Sequence, residues 1–211
     1  MTNKKFNILL DLDQTLISAE ADEEYDFVQN REKAKKFEFH DMDGYYIVFE
    51  RPGLQKFLDF IFENFNVSVW TAASKDYALF IVDKILLQNK PERHLDWIFF
   101  SYHCDISRKL LNGTKDLSIL WTLYKITGYD PENTVIIDDY DEVYNTQKNN
   151  CIIAVPFEFT DDDSHKDKYL QQLQEVLSEN KDIDNSTKLV KKTNKYIKKS
   201  QTESKKESIS D

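Results

Sequence analysis

Two carboxylates stand two residues apart in the segment Asp11-Leu12-Asp13-Gln14-Thr15-Leu16. They follow the apolar run Ile8-Leu9-Leu10, which is too short for a helix and is typical of a buried parallel strand. The carboxyl end of such a strand is where open α/β sheets place their ligand sites. Two like charges there are costly without a cation or a shared proton, so the pattern indicates a metal, a phosphate or both. Asp11 has the chemistry to attack a phosphorus atom, and Asp13 has the chemistry to carry the proton.

Three further features occur at predicted strand ends or helix starts. Thr71 directly follows the predicted strand segment 67–70. A hydroxyl at that position can donate to a phosphate oxygen, although threonine is also a common helix N-cap. Asp138 and Asp139 end the apolar run 134–137, where paired acids favour a functional site over a structural role. Lys115 follows the Asn112-Gly113 turn and is uninformative alone, so its interpretation depends on the other features.

The elements that position these residues alternate between strand and helix. Strands are predicted over residues 5–10, 66–70, 97–100, 134–137 and 151–155, and a hairpin over 37–49 turns at Asp43-Gly44. Helices are predicted from residue 51 to about 64, over 75–87 and 117–127, and from about 165 to 177, with Asp161-Asp162-Asp163 as a cap of the last one. This order predicts a Rossmann-like, doubly wound, mostly parallel α/β sheet.

Composition and charge limit the class of protein. The 211 residues include 14 Phe and 11 Tyr but only 4 Gly and 4 Pro, which is a globular composition. Only two cysteines occur and the four histidines lack ligand spacing, so we expect no disulfide framework or zinc site and an intracellular, cytoplasmic or nuclear, location. The early apolar stretch is cut by Asp11, so neither a signal peptide nor a membrane span is predicted.

The net charge of −10 is unevenly distributed along the chain. Residues 181–211 contain nine lysines and five acids, a local charge of +4, which leaves −14 for residues 1–180. The acidic body argues against a broad nucleic-acid-binding face. We therefore expect a catalytic domain over residues 1–180 and a mostly disordered tail over 181–211. The spacing of Leu189, Val190, Tyr196 and Ile197 leaves open a basic helix that contacts an acidic partner.

Together, Asp-x-Asp, Thr, Lys and Asp-Asp in this order resemble the four-motif signature of the haloacid dehalogenase superfamily. Within it, Arg51-Pro52-Gly53, Trp70-Thr71-Ala72-Ala73-Ser74 and Lys115-Asp116-Leu117-Ser118 resemble the small phosphatases that act on the C-terminal domain of RNA polymerase II. The resemblance covers about residues 6–156, with Tyr77, Cys104 and Asn150 as weaker agreements. One departure is Asp138-Asp139, because these phosphatases often have Asp-Asn there and the extra carboxylate increases the expected need for Mg²⁺.

The resemblance implies a role for each motif residue. Asp11 would be the nucleophile that forms an aspartyl-phosphate, and Asp13 would be the general acid and then the general base. Thr71 would bind the phosphoryl group, and Lys115 would offset charge. Asp138 would orient the lysine or support the metal shell. Mg²⁺ would be held by the Asp11 carboxylate, the Asp13 backbone carbonyl and Asp139, an oxygen-only set that suits this ion.

The substrate and two other classes of function stay open at this stage. The segments 18–50 and 72–114 are too short for a full cap domain, so we expect an open site that admits a phosphorylated protein or peptide. Aromatic residues could line a groove for that peptide or belong to the core: Phe37, Phe39, Tyr45, Trp97, Phe99 and Phe100. A phosphatase for a nucleic-acid end or a small phosphoester, and a catalytically silent phosphoprotein-binding module, are the alternatives. An EF-hand is excluded because Leu16 stands where glycine is required, and a receiver domain does not place its nucleophile in an early Asp-x-Asp.

Overall fold

The centre of the protein is a five-stranded parallel sheet, described by a computed structural model for residues 6–21 and 27–207, with side chains for 6–21 and 30–203. Its strands are β1 (Asn7–Leu10), β5 (Asn66–Trp70), β6 (Leu95–Phe99), β7 (Thr134–Asp138) and β8 (Cys151–Ile153), in the order β6-β5-β1-β7-β8. β1 lies between β5 and β7, with Leu10 opposite both Val69 and Ile137. The carboxyl ends of these three strands therefore lie side by side, and the predicted fold is confirmed.

Apolar side chains cover both faces of the sheet. Ile8 and Leu10 point into one buried core, and Leu9 points into a second core on the other face, because successive residues of a strand alternate in direction. Helices α2 (Leu54–Asn64) and α7 (Tyr169–Glu179) cover the first face. Helix α3 (Lys75–Ile81) continues into a π-helix over Val82–Leu87, and together they fill the predicted helix 75–87.

A small insertion follows β1. It consists of β2 (Ile17–Ala21), α1 (Phe27–Ala34), β3 (Phe39–Met42) and β4 (Tyr46–Glu50), and the strands form an antiparallel sheet in the order β2-β4-β3. The predicted hairpin is confirmed, with Asp43 and Gly44 both at positive φ in its turn. β2 has no equivalent among the predicted elements, because only its first two residues are buried and it lacks a clear alternating pattern.

Several helices differ from the sequence-based expectation. The helix predicted over 117–127 is only α5 (Ser118–Thr122), and the chain turns at Lys125, which has a φ of 51°. Helices α4 (Ser101–Leu110) and α6 (Asp141–Thr146) are not among the predicted elements. The last predicted helix begins at Tyr169, after a short 3₁₀ turn, so the three aspartates 161–163 do not cap it. Asp163 instead forms an ion pair with Lys166.

The segment expected to be a disordered tail is helical over α8 (Ser186–Glu207). Leu189, Val190 and Ile197 are buried, and the helix packs on α7 and on the edge strand β8. The Asn194 side chain accepts a hydrogen bond from the Ile153 N–H (2.9 Å) and donates one to the Cys151 carbonyl (3.1 Å). Polar composition favours disorder, but covering the open edge of β8 supplies contacts that composition does not reveal. Within the described ranges, no helix is long and apolar enough to cross a membrane.

Candidate active site

Asp11 and Asp13 lie at the carboxyl end of the central strand. The Asp11 N–H donates to the Ile137 carbonyl at 3.0 Å, which continues the ladder of β1 with β7 and buries Asp11. The chain then turns sharply, with Gln14 at a φ of 59° and the Leu16 N–H bonded to the Leu12 carbonyl. This turn leaves Asp13 half-buried beside Asp11, as the Asp-x-Asp spacing predicts.

Lys115 joins the first and last acidic motifs. Its Nζ lies 2.5 Å from Asp11 Oδ1 and 2.7 Å from Asp138 Oδ2, and its side chain is only 4% exposed. Burial alone would lower the pKa of Lys115, but the charges of Asp11 and Asp138 outweigh burial and raise it. Lys115 is therefore a fixed positive charge. It engages one oxygen of Asp11 and leaves the other oxygen for chemistry.

The loop that carries Lys115 is braced by side chains for which the sequence predicted no role. Gln147 donates to the Lys115 carbonyl (2.7 Å) and accepts from the Leu117 N–H (3.0 Å). Glu142 accepts from both the backbone and the hydroxyl of Thr114. Both residues lie in or next to α6, the helix that follows β7. The chain segment just after Asp138 therefore holds the loop of Lys115, which pairs with Asp138. Sequence spacing contains no signal for this contact.

Thr71 directs its hydroxyl into the same site. Thr71 is fully buried at the end of β5, and its Oγ1 accepts a hydrogen bond from the Ala73 N–H at 3.0 Å. Because that bond occupies the oxygen as an acceptor, the hydroxyl proton is free to donate. It donates to Asp13 Oδ2 across a long distance of 3.5 Å. The hydroxyl is thus oriented to donate to an anionic group placed beside the two aspartates.

Tyr77 contacts Asp13 from the other side. Its hydroxyl donates to Asp13 Oδ1 at 2.5 Å, and its ring packs edge-on against Tyr46 of the insertion, with 5.6 Å between ring centres. Burial and the charge of Asp11 raise the pKa of Asp13 to about 6, although the bond from Tyr77 opposes the rise. Burial and the charge of Asp13 raise the pKa of Tyr77, so its hydroxyl stays protonated as a donor. In the sequence, Tyr77 was only a weak agreement with the family pattern.

Arg51 fixes the loop behind the two aspartates. Its fully buried guanidinium donates to the carbonyls of Thr15 (2.9 Å) and Val155 (2.7 Å) and forms two hydrogen bonds with Asp167. It also lies over the ring of Tyr169, 4.3 Å from the ring centre. The motif containing Arg51 therefore ties the chain after Asp13 to the body, although its sequence suggested no specific contact.

Three carboxylates form a candidate metal centre. Oxygens of Asp11, Asp138 and Asp139 lie within 4.8 Å of one another, and burial followed by the charge of Asp11 raises the pKa of Asp138 and Asp139. Both oxygens of Asp138 already accept hydrogen bonds, from Lys115 and from the Tyr140 N–H. Asp139 is half-buried, with the Thr15 hydroxyl 3.5 Å away. This crowded, oxygen-only set suits a hard divalent cation. The Asp13 side chain is not part of this cluster.

The predicted aromatic groove does not form a single surface. Phe99 is buried and packs against Trp70 in the core, whereas Phe37 and Phe39 pack against Phe49 of the insertion. Tyr45 and Trp97 are exposed, but on different sheets, and Phe100 is half-buried before α4. The cleft beside Asp13, of about 220 Å³, is instead lined mainly by polar and acidic residues: Gln14, Ser18, Ala19, Glu20, Glu158 and Thr160. Of the two interpretations left open for these aromatic residues, core packing holds for Phe99, and the surface next to Asp13 is polar.

Comparison with known proteins identifies a family and several relatives of this chain. The family described as NLI interacting factor-like phosphatase matches residues 6–187. The CTD phosphatase-like protein 355R of Invertebrate iridescent virus 6 is 44% identical over 176 residues, which cover 82% of this chain and 97% of that protein. Its counterpart in Invertebrate iridescent virus 3 is 40% identical over 184 residues, which cover 83% and 96%.

A solved structure supports the fold independently. The structure of Fcp1, an essential RNA polymerase II CTD phosphatase, matches with a TM-score of 0.56 at 21% identity over 85% of this chain. The match spans 63% of the Fcp1 chain. The fold is thus an α/β fold similar to that of Fcp1. This chain belongs to the NLI interacting factor-like phosphatase family, which confirms the resemblance seen in the sequence.

Proposed function

We propose that this protein is a Mg²⁺-dependent phosphatase that hydrolyses phosphoserine or phosphothreonine in a protein segment through an aspartyl-phosphate. One observation carries the proposal: Lys115 holds Asp11 by one oxygen, while Asp13 lies alongside with Thr71 and Tyr77 at its two oxygens. The nucleophile Asp11, the proton carrier Asp13 and the Thr71 hydroxyl, which can donate a hydrogen bond to phosphate, therefore face one small volume.

In the first step, the free carboxylate oxygen of Asp11 attacks phosphorus, and the bond from phosphorus to the serine or threonine oxygen breaks. Asp13 donates its proton to that leaving oxygen, so the substrate departs as an alcohol. The pKa of Asp13, near 6, keeps a usable fraction protonated close to neutral pH. The Thr71 hydroxyl and the Lys115 ammonium stabilise the negative charge on the phosphoryl oxygens.

In the second step, Asp13 has become a carboxylate and takes a proton from water as that water attacks phosphorus. The bond between phosphorus and the Asp11 oxygen breaks, which releases phosphate and restores the Asp11 carboxylate. Asp13 is reprotonated and ready for the next cycle. The same side chain therefore serves as acid and then as base, which requires a pKa near the working pH.

The metal would be held by Asp11, Asp139 and the backbone carbonyl of Asp13, with Asp138 supporting Lys115. A bound divalent cation would supply positive charge to the phosphoryl group and to the crowded carboxylates. The fit rests on the carboxylate oxygens that converge within 4.8 Å and on their oxygen-only chemistry.

A protein segment is the favoured substrate because the insertion over β2, α1, β3 and β4 is a small sheet with one helix. Such an insertion leaves the site open to an extended chain, and the cleft beside Asp13 is polar. The names of the viral relatives and of Fcp1 refer to phosphatases of a protein domain, which supports the same substrate class.

The test is hydrolysis of an aryl phosphate and a panel of phosphoserine peptides, with Mg²⁺ and with EDTA. We expect Mg²⁺-dependent turnover that is lost in Asp11→Asn. In Asp13→Asn, the aryl phosphate should still transfer its phosphoryl group, because its leaving group needs little protonation. The slowed second step should then leave Asp11 phosphorylated, visible by mass spectrometry as a mass gain on the peptide that contains it.

Two outcomes would contradict the mechanism. The first is activity that survives both EDTA and the Asp11→Asn substitution. The second is phosphorylation of a residue other than Asp11 in the Asp13→Asn protein. Equal and undetectable turnover by wild type and variants on every substrate would favour the binding module instead.

A further inference from the structure

The exposed face of α8 carries six lysines, which we call the lysine stripe: Lys188, Lys191, Lys192, Lys195, Lys198 and Lys199. At 100° per residue these side chains fall within an arc of about 120°, and they extend over about 17 Å of helix. All six are exposed. The stripe is therefore a continuous basic surface, and the catalytic proposal does not use it.

The opposite face of α8 fixes the stripe in place. Leu189, Val190, Thr193 and Ile197 are buried there, and Asn194 bonds to the backbone of β8. Docking of the helix thus depends mainly on apolar contacts and on the Asn194 amide. Within the stripe, Lys192 also contacts the body, because its Nζ donates to Asn180 Oδ1 at the end of α7 (3.1 Å). Among the described residues, no hydrogen bond or ion pair of Lys191, Lys195 or Lys198 holds the helix in place.

The lysines repel one another. Lys188 and Lys192, Lys191 and Lys195, and Lys195 and Lys199 are spaced four apart, and like charges at this spacing destabilise a helix by about 0.2–0.5 kcal/mol per pair. Lys188 pairs with Asp184, and Lys199 lies 3.7 Å from Glu203. Among the described residues, Lys191, Lys195 and Lys198 form no ion pair. Acidic residues of the described chain therefore neutralise only part of this repulsion. A bound external anion would reduce the rest.

Charge and position indicate which anion. Residues 1–180 carry −14, a count that includes the acidic residues of the active site, so a substrate with several phosphates is repelled by most of the protein. At the start of α8, the Ser186 hydroxyl donates to the Pro131 carbonyl, which lies just before the amino end of β7. Near the other end of α8, Gln201 lines a cleft together with Asp161 and Asp167, which follow the carboxyl end of β8. The stripe thus runs along the edge of the sheet toward the end that holds Asp11 and Asp13.

We propose that the lysine stripe is a docking surface for a multiply phosphorylated protein segment, binding phosphates other than the one being removed. The inference rests on the proposed function for the identity of the substrate. The stripe offsets the repulsion from the acidic body and raises the local concentration of phosphorylated sites near Asp11. Exposed lysines attract anions as flexible point charges, so the interaction depends on charge density more than on sequence.

The experiment measures binding by fluorescence anisotropy of two labelled peptides of one sequence, carrying either four phosphoserines or one. Two full-length variants are compared with wild type: Lys191→Gln/Lys195→Gln/Lys198→Gln in the stripe, and Lys56→Gln/Lys84→Gln/Lys109→Gln among exposed lysines elsewhere. Both variants lose three positive charges, and glutamine keeps a similar helix propensity. Circular dichroism checks that α8 is retained.

We expect the stripe variant to bind the four-phosphate peptide about tenfold more weakly, since exposed ion pairs each contribute little but add along the stripe. The control variant should change by less than about twofold, and added salt should remove most of the difference. Equal losses in the two variants would overturn the proposal, because they would show a general charge effect. Stripe-dependent binding of an oligonucleotide, with peptide binding unchanged, would overturn it in favour of a nucleic-acid partner.

Hydrolysis is scored separately on the same peptides with Mg²⁺. If wild type binds the four-phosphate peptide through the stripe but hydrolyses neither peptide, the catalytic proposal fails and the docking surface is supported. If both peptides are hydrolysed and the stripe variant has an unchanged KM for each, the docking surface is overturned and the catalytic proposal stands.

Discussion

Replacing Tyr77 by phenylalanine tests the contact that sets Asp13 in place. The substitution removes the hydroxyl that donates to Asp13 Oδ1 at 2.5 Å but keeps the ring that packs against Tyr46. Asp13 Oδ2, on the side of Thr71, is then the oxygen available for proton transfer. Without Tyr77, the carboxyl group of Asp13 gains rotational freedom, and the oxygen facing the leaving group is no longer fixed.

The size of the effect follows from the hydrogen bond and from the leaving group. A hydrogen bond to a charged group contributes about 1.5–3 kcal/mol, which is about 10- to 100-fold in rate if it is fully felt in the transition state. General acid catalysis as a whole contributes about 10²- to 10⁴-fold. We therefore expect kcat/KM for a phosphoserine peptide, whose alkoxide leaving group needs a proton, to fall about tenfold or more. For p-nitrophenyl phosphate, whose leaving group is stable as an anion, the fall should stay below about threefold.

The assay compares kcat/KM for the two substrates in wild type, Tyr77→Phe and the control Tyr46→Phe. This parameter reports the steps up to the departure of the leaving group, so slow hydrolysis of the aspartyl-phosphate does not obscure the comparison. The control removes a hydroxyl from the neighbouring ring and should leave both values nearly unchanged. Equal losses on both substrates in Tyr77→Phe would refute the reasoning, because a merely structural role does not distinguish leaving groups.

Three further substitutions test the charge arrangement. Lys115→Met removes the cation between two buried carboxylates, so the free energy of unfolding in EDTA should fall by about 3–5 kcal/mol in urea titrations, and Mg²⁺ should restore part of it. Unchanged stability would contradict the buried ion pairs. Asp139→Asn should raise the Mg²⁺ concentration for half-maximal activity about tenfold while kcat at saturating Mg²⁺ falls less than about threefold; an unchanged Mg²⁺ dependence would remove Asp139 from the metal site. Asp167→Asn should cost about 3 kcal/mol in thermal unfolding, because the Arg51 charge stays buried with one partner fewer, and a neutral result would contradict that contact.

The residues placed together at the strand ends were predictable because parallel strands bring their carboxyl ends to one edge. Asp11, Thr71 and Asp138 each end a buried apolar run, and the strands that carry them are neighbours in the sheet. Lys115 had no such signal, and only the order of the motifs made it a candidate. The resemblance to a family therefore supplied what strand geometry alone could not.

The supporting contacts were not predictable from spacing. Gln147 and Arg51 act through backbone carbonyls 32 and 36 residues away in the chain, and single polar residues in a sequence carry no record of such partners. Helix α8 shows the same limit from the opposite direction. Its buried residues had helical spacing, yet the lysine-rich composition favoured disorder. The helix is ordered because it covers the open edge of β8, a contact that the composition does not reveal.

The count of charges in the site supports the proposed role of a divalent cation. When ionised, Asp11, Asp138 and Asp139 are three carboxylates facing the single ammonium of Lys115, with Asp13 as a fourth acid alongside. A phosphate ester entering this site adds further negative charge. Burial and the charge of Asp11 raise the pKa of Asp138 and of Asp139, which shows that negative charge is costly here without added positive charge. Because the Asp138-Asp139 pair carries one more carboxylate than an aspartate followed by an amide, we expect it to strengthen the dependence on the proposed cation.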